Sequence, residues 1–399
     1  MVERVVGLVS GTSLDGVDVA VADLRARGEE IVLTPLGQCE LAYPEPVRDG
    51  LLAALPPATT TAGELARLDT GIGQAFAEAA RTAIDRFGPA DLVASLGQTV
   101  FHWVEEGRPR GTLQLGQPAW IAERTGLPVV ADLRARDVAA GGHGAPLAGT
   151  LDRLWLRELA ESAGRPAVAL NIGGIANITV VEPGGHTTAY DTGPGNALLD
   201  LAAHRTTGHR CDRDGALAAR GRVHAKLLRR LLDEPYYRAE PPKSTGKELF
   251  HAGYLEAATQ GIPIEAEDLL ATLTELTART IAAACARYAP HLVVASGGGV
   301  DNPVLMRALT RNLAGVRLVT SDEQGLPHGA KEAYLTALLG WLTWHGLPAN
   351  VPGATGARGL RLLGAITPGL APLVPPAPHP TSVTRLRIAR DPEEEPEEE

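Results

Sequence analysis

Residues 10–18 read Ser-Gly-Thr-Ser-Leu-Asp-Gly-Val-Asp, a run of small hydroxyls, glycines and two acids. The run follows the apolar segment Val5-Val6-Gly7-Leu8-Val9 and leads into the alternating segment Val17-Asp18-Val19-Ala20-Val21-Ala22. Strand, polar turn and strand make a hairpin whose tip offers backbone N–H groups, hydroxyls and a carboxylate. Those are the groups that hold a triphosphate and its magnesium ion. An ordinary Asp-Gly turn accounts for the same letters, so the rest of the chain has to decide between the two.

Two further loops carry comparable chemistry. Asp191-Thr192-Gly193-Pro194-Gly195-Asn196 leaves a predicted strand, turns on two glycines and opens a helix. The N–H groups of that helix start, with their partial positive charge, suit a phosphate, although Asn196 also reads as a plain N-cap. Ser296-Gly297-Gly298-Gly299-Val300-Asp301-Asn302-Pro303 links a buried strand to a helix starting at Pro303. Its three glycines permit the close approach of a flat base or a ribose. Each loop alone reads as punctuation; the three in this order favour nucleotide binding.

The elements that must position these loops follow one order twice. The first half predicts strands at 4–9, 17–24 and 31–41, a helix at 62–87, and strands at 92–96 and 128–133. The helix rests on Leu65, Leu68, Ile72, Phe76, Ala80 and Ile84, spaced three and four apart. The second half predicts strands at 168–172, 177–181, 187–190, 291–295 and 316–320. Its helices are expected at 196–203, 220–232, 265–288, from 303, and at 329–345. The fold class is therefore α/β: two duplicated domains flanking a central cleft, expected at 1–135 and 136–370. A single doubly wound domain with insertions is the competing layout.

Composition bounds the rest. The chain has 399 residues, a formal net charge of −10 and three cysteines, Cys39, Cys211 and Cys285, with no metal-ligand spacing. A reducing, cytoplasmic setting is expected, with neither a disulfide framework nor a zinc site. The last nine residues hold seven acids; without those charges the remainder carries −3. No basic stripe points to nucleic acid and no apolar run points to a membrane. Residues 371–399, rich in proline and then acid, are expected to be a disordered tail.

The strings Ser10–Asp18, Asn171-Ile-Gly-Gly-Ile-Ala-Asn177, Tyr190-Asp-Thr-Gly-Pro-Gly-Asn196 and Pro242-Lys-Ser-Thr-Gly246 resemble the anhydro-N-acetylmuramic acid kinase family of peptidoglycan recycling. The likeness runs from about Val5 to Pro368. The order of the three loops is that of the wider superfamily of actin, hexokinase and the heat-shock ATPases, with RNase H-like domains. The resemblance implies ATP and Mg2+ as cofactors and a small anhydro amino sugar as partner, with a homodimer as the expected assembly. It implies Asp191 as general base. It places ATP on Gly11, Thr12, Ser13, Leu14, Asp15, Gly16, Val17 and Asp18, with Asp15 holding magnesium directly or through water. Gly173, Gly193, Gly195, Gly297, Gly298 and Asn302 complete the nucleotide set. The sugar falls to Gln98, Thr99, Asp132, Arg134, Arg136, Asp137 and Glu332, the arginine forks suiting a lactyl carboxylate.

Three positions depart from the family's usual pattern, all on the sugar side. Leu96 stands where a histidine is usual, His143 replaces a glutamine, and Gly149-Thr150-Leu151-Asp152 lacks a proline and an aromatic. They keep two other readings open: a sugar kinase of the same superfamily acting on a free hydroxyl, and a non-catalytic protein gated by ATP.

Overall fold

The computed structural model describes residues 2–11, 14–105, 108–241, 243–246 and 248–390. The chain divides into two compact units, Met1–Trp155 with Ala330–Glu399, and Leu156–Gly329.

The first unit opens with β1 (Glu3–Ser10), β2 (Gly16–Arg27) and β3 (Glu30–Ala42), an antiparallel meander. After the short helix α1 (Glu45–Ala54) comes the 26-residue α2 (Ala62–Phe87). A capping box starts α2: the Thr61 hydroxyl accepts from the Glu64 amide at 3.2 Å, and the Thr61 amide donates to Glu64 Oε2 at 2.8 Å. β4 (Leu92–Glu105) then runs parallel to β1 and folds back as the hairpin strand β5 (Arg108–Leu115). α3 (Pro118–Thr125), β6 (Val129–Ala131), α4 (Ala135–Ala139) and α5 (Ala148–Ala163) follow.

The second unit begins with the antiparallel β7 (Ala167–Ile172), β8 (Ile175–Val181) and β9 (Thr187–Pro194). Helices α6 (Ala197–Thr207), α7 (Ala225–Leu232), α8 (Ala252–Thr259) and α9 (Ala266–Ala286) come next. β10 (Leu292–Ser296), α10 (Pro303–Asn312) and β11 (Arg317–Thr320) complete it. By length and hydropathy α9 is apolar enough to cross a membrane, yet most of it is buried. Ala278, Ile281 and Cys285 lie in the core of this unit's sheet, and Leu269, Leu270 and Leu273 in the neighbouring helical core.

The chain then returns to the first unit with α11 (Lys331–Trp344), α12 (Pro352–Thr355), β12 (Ala365–Thr367) and β13 (Arg385–Ile388). The sheet orders reveal the duplication. The first contains the path β3-β2-β1-β4-β6 and the second β9-β8-β7-β10-β11, with matching strand senses. The two mixed α/β halves expected from the sequence are present.

The helix α11 explains why the division differs from the expected break at 135. Twelve of its residues are buried, from Lys331 through Thr343, against β1, β2 and β4. It lies so close that a Cβ on Gly7 of β1 would stand 2.0 Å from the Ala333 carbonyl oxygen. Even-numbered Val6 and Leu8 join the core built on Phe76 and Ala80 of α2. A strand covered on both faces reads as one continuous apolar run, which β1 does. Upstream, the Thr150 hydroxyl donates to the Ala349 carbonyl at 2.8 Å, holding the start of α5 to the first unit.

The expected disordered tail is also corrected. β13 pairs with the edge of β3 from Arg385↔Glu30 to Ile388↔Leu33, and Leu386 and Ala389 are buried. An exposed edge strand offers unpaired amides and carbonyls to any extended segment that reaches it. The acidic residues 391–399 lie outside the described residues.

The Gly7 contact yields a prediction. Gly7→Ala has to push α11 from the sheet and lowers unfolding stability by about 2 kcal/mol, read as a lower urea midpoint. An unchanged midpoint contradicts the packing.

Candidate functional site

In the first unit, the hairpin tip between β1 and β2 is held from behind. Ser10 Oγ donates to the Gly16 carbonyl at 2.6 Å and the Tyr43 amide to the Asp15 carbonyl at 3.0 Å. Gly16 is pressed on β3, where a Cβ would meet the Leu41 carbonyl oxygen at 2.3 Å. Leu14 adopts a left-handed φ of 55° with its side chain buried, and Val17 is also buried. These two can offer a ligand only their backbone. Thr12 and Ser13 lie outside the described residues.

Gln98, expected to touch the sugar, braces this tip instead. It is 2% exposed, donates from Nε2 to the Gly11 carbonyl at 3.4 Å and the Thr99 carbonyl at 3.1 Å, and accepts from the Tyr43 hydroxyl at 3.4 Å. Its place follows from the irregular register between β1 and β4, where Ser10 pairs with Gln98. Asp18 sits among acids. Burial, followed by the charges of Glu40, Glu332 and Asp15, pushes its carboxyl up to about 6.

The other sugar-side residues divide into two groups. Arg134 and Glu332 lie within each other's field, Glu332 exposed in the first turn of α11. Arg134 Nη1 donates to the Gly144 carbonyl at 2.7 Å, and its buried Nε has no partner among the described residues. Asp132, at a left-handed φ of 57°, lines a cavity of about 210 Å³ together with Ser95, Leu96 and Gln114. Thr99 Oγ1 accepts from Gln114 Nε2 at 3.1 Å, and Arg136 is exposed.

Asp137 belongs to the second group, and its expected sugar contact is corrected. It is fully buried and accepts from the Gly144 amide at 2.9 Å, Asn350 Nδ2 at 2.8 Å and Thr355 Oγ1 at 2.8 Å. A carboxylate buried at that depth and held by three protein donors fastens loops rather than facing a ligand. One of the departures is likewise structural: Asp152 forms a buried ion pair of 2.6 Å with Lys331. The His143 side chain is exposed, and its amide donates to the Thr355 carbonyl at 2.8 Å, as any residue but proline could.

In the second unit, Asp191 lies near the end of β9 and is partly buried. Its Oδ2 accepts from the Thr245 amide at 3.0 Å. Burial raises its carboxyl to about 6; the Thr245 amide opposes that rise and Glu248 adds to it. Beyond it, the amides of Gly195, Asn196 and Ala197 donate to the carbonyls of Gly174, Gly173 and Gly174 at 2.8–3.0 Å. These three amides are therefore taken by protein acceptors and are not offered to a phosphate. Gly173 and Gly195 matter for proximity: a Cβ on Gly195 would stand 2.3 Å from the Gly173 oxygen. Gly193 faces the Tyr237 ring in the same way.

An open cavity of about 550 Å³ in this unit gathers Asn196, Gly298 and Asn302, with Asp212, Arg213 and Asp301 on its wall. It brings together two loops that the sequence pairs only by analogy. Gly297 turns at φ 83° against Asn171, while Gly298 has open space before it. Asn302 caps α10, Oδ1 accepting from the Val304 and Leu305 amides at 3.0 and 3.1 Å. Sequence reasoning missed His328, whose Nδ1 lies 2.7 Å from Asp322 Oδ2 and Nε2 3.1 Å from Asp301 Oδ1. It also missed Tyr236, whose hydroxyl donates to the Asp191 carbonyl at 2.7 Å. Neither residue stands in a glycine-rich string. Among the described residues no group of three or more His, Cys, Asp or Glu side chains could hold a metal by itself.

Comparison with known proteins places this chain among the sugar kinases. The profile of the family described as anhydro-N-acetylmuramic acid kinase matches residues 3–369. An anhydro-N-acetylmuramic acid kinase of Streptomyces avermitilis is 58% identical over 92% of this chain and 94% of its own length. That of Streptomyces coelicolor is 55% identical, covering 98% and 100%. Among solved structures, a xylulose kinase from Rhodospirillum rubrum aligns at TM-score 0.41 and 16% identity, over 86% of this chain and 90% of that one. The chain belongs to the anhydro-N-acetylmuramic acid kinase family.

The buried Asp137 sets a test. Asp137→Asn sets an amide donor against protein donors and costs about 3 kcal/mol of unfolding stability, with KM for the sugar unchanged. A raised KM at full stability returns Asp137 to ligand binding.

Proposed function

We propose that this protein uses ATP and water to open 1,6-anhydro-N-acetylmuramic acid and yields N-acetylmuramic acid 6-phosphate, a step of cell-wall recycling. The observation that carries the reading is Asp191: a partly buried carboxyl near the end of a strand, raised to about 6 and held at one oxygen by an amide. A base must be largely ionised at neutral pH yet basic enough to accept a proton, and a value near 6 meets both needs.

In this reading Asp191 takes a proton from water as the water oxygen attacks the anomeric carbon C1. The C1–O6 bond of the bridge breaks, O6 takes the γ-phosphoryl group, and ADP leaves. Phosphoryl transfer asks a protein chiefly for positioning and charge neutralisation. The tip at Gly11–Asp18 is assigned the phosphates, and the 550 Å³ cavity beside Gly298 and Asn302 the nucleoside. Arg134, Glu332, Thr99 and Asp132 are assigned the sugar, Arg134 pairing with the lactyl carboxylate.

The acids of the first unit suit magnesium. Burial, then the charges of Glu40, Glu332 and Asp15, pushes Asp18 up, and a divalent cation relieves the repulsion. Because no three side chains among the described residues hold a metal alone, Asp15 and Asp18 would share the ion with phosphate oxygens and water, as magnesium favours. When bound, it neutralises charge building on the phosphate oxygens.

Asp191→Asn is expected to lower kcat at least about 100-fold while ATP still binds. Mass spectrometry of the product formed in heavy-oxygen water should find one solvent oxygen on C1. A product without it makes the enzyme a kinase of a free hydroxyl, the reading that Leu96 in the sugar-side cavity keeps open. A second prediction separates the two raised acids. kcat/KM rises with pH through about 6 as Asp191 loses its proton. That limb persists in Asp18→Asn; its disappearance there would transfer the base to Asp18.

A further inference from the structure

Of the strings that carry the family likeness, Lys243-Ser244-Thr245-Gly246 has so far lent the function only its Thr245 amide. A lysine beside two hydroxyls and a glycine invites a phosphate-binding role. Its contacts point elsewhere. Lys243 Nζ donates to the carbonyls of Tyr236 at 3.0 Å and Tyr237 at 3.3 Å. It also lies 4.6 Å from the centre of the Tyr236 ring and 5.8 Å from that of Tyr190. An ammonium has three donors; two are occupied here, and aromatic faces screen its charge.

The same turn grips Asp191 through its backbone. The Asp191 amide donates to the Lys243 carbonyl at 3.3 Å, and the Thr245 amide donates to Asp191 Oδ2 at 3.0 Å. The Tyr236 hydroxyl donates to the Asp191 carbonyl at 2.7 Å. These bonds close a ring: Asp191 to Lys243 through the backbone, Lys243 to Tyr236 through the ammonium, and Tyr236 to Asp191 through the phenol. Removing the ammonium opens the ring at the link that joins the turn to residues 236 and 237.

We propose that Lys243 is a positioning residue, anchoring the turn whose Thr245 amide aims the Asp191 carboxylate and keeps it charged, and that it holds no phosphate. The inference rests on the reading of Asp191 as the base.

The groups facing Asp191 set the expected signs. Its own turn contributes the Thr245 amide, which favours the charged form, and Glu248, which opposes it. Tyr236 and Lys243 complete the ring. Asn177 of β8, paired with Asp191 across the sheet, and Thr280 of α9, beside Gly193, carry no charge. Pro242 and Lys247 lie outside the described residues.

The test is the acid limb of kcat/KM, read together with the carboxyl carbon resonance of Asp191, assigned by its loss in Asp191→Asn. In Lys243→Met both move up by about one pH unit, the scale of one hydrogen bond to a charged group. KM for ATP stays constant, and Lys243→Arg restores the limb. Thr245→Pro, which removes the amide hydrogen, reproduces the shift; Thr245→Ala, which keeps it, does not. Glu248→Gln moves both readouts down. Should Lys243→Met fail to fold, the Thr245 pair and Lys243→Arg carry the test, Lys243→Arg holding both readouts at the wild-type value. A limb left in place in Lys243→Met while KM for ATP rises several-fold overturns the proposal and makes Lys243 a phosphate ligand. An equal response of Thr245→Ala and Thr245→Pro overturns it too. If the resonance shifts as stated while the wild-type enzyme shows no limb, the anchor stands and Asp191 is not the base.

Discussion

A carboxylate taken out of water must find donors or surrender its charge, and this fold treats its buried acids in two ways. Asp137 receives three donors and Asp152 a lysine at 2.6 Å. Asp18 and Asp191 receive less, and both are pushed to about 6. The first pair fastens the loops after β6 and the start of α11. The second pair is left short of compensation where a cation or a proton can supply it. Under-satisfied acids of this kind mark chemistry more reliably than acidity alone.

That division depends on backbones meeting more closely than side chains allow. α11 reaches β1 at Gly7, which brings Glu332 into the field of Asp18 and Arg134. In the second unit Gly195 sits against Gly173, so that the chain leaving β9, the strand that carries Asp191, packs on the turn between β7 and β8. The glycines of the motifs thus act through contact between protein segments as much as through any ligand.

Much of this was legible in the sequence. The apolar runs of β1, β4, β7 and β10 and the three- and four-residue spacing of α2 announce themselves, because one period or one continuous run suffices. Asp191 stands out for its glycine neighbours. What could not be read depends on partners far away in the chain. Gln98 and Asp137 have the letters of ligand-binding residues, and only Gly11, Asn350 and Thr355 reveal them as braces. Lys331 and Asp152 pair across 179 positions. β13 looked like tail because its few apolar residues acquire meaning only beside the edge of β3. The β4–β5 hairpin escaped notice because its outer half, including Phe101 and Trp103, is exposed and lacks a core-facing pattern.

The first unit is made of the two ends of the chain, with the second unit inserted between them. On a ribosome its β1–β4 strands emerge early, but α11, which covers one face of them, is encoded more than 200 residues later. The inserted unit owns all of its strands and can close as soon as β11 has left the exit tunnel. The half that starts first therefore finishes last, holding an apolar sheet face uncovered through much of translation. A nascent chain stalled before residue 331 would present that face to chaperones or to other chains, and synthesis rate becomes part of what this architecture requires.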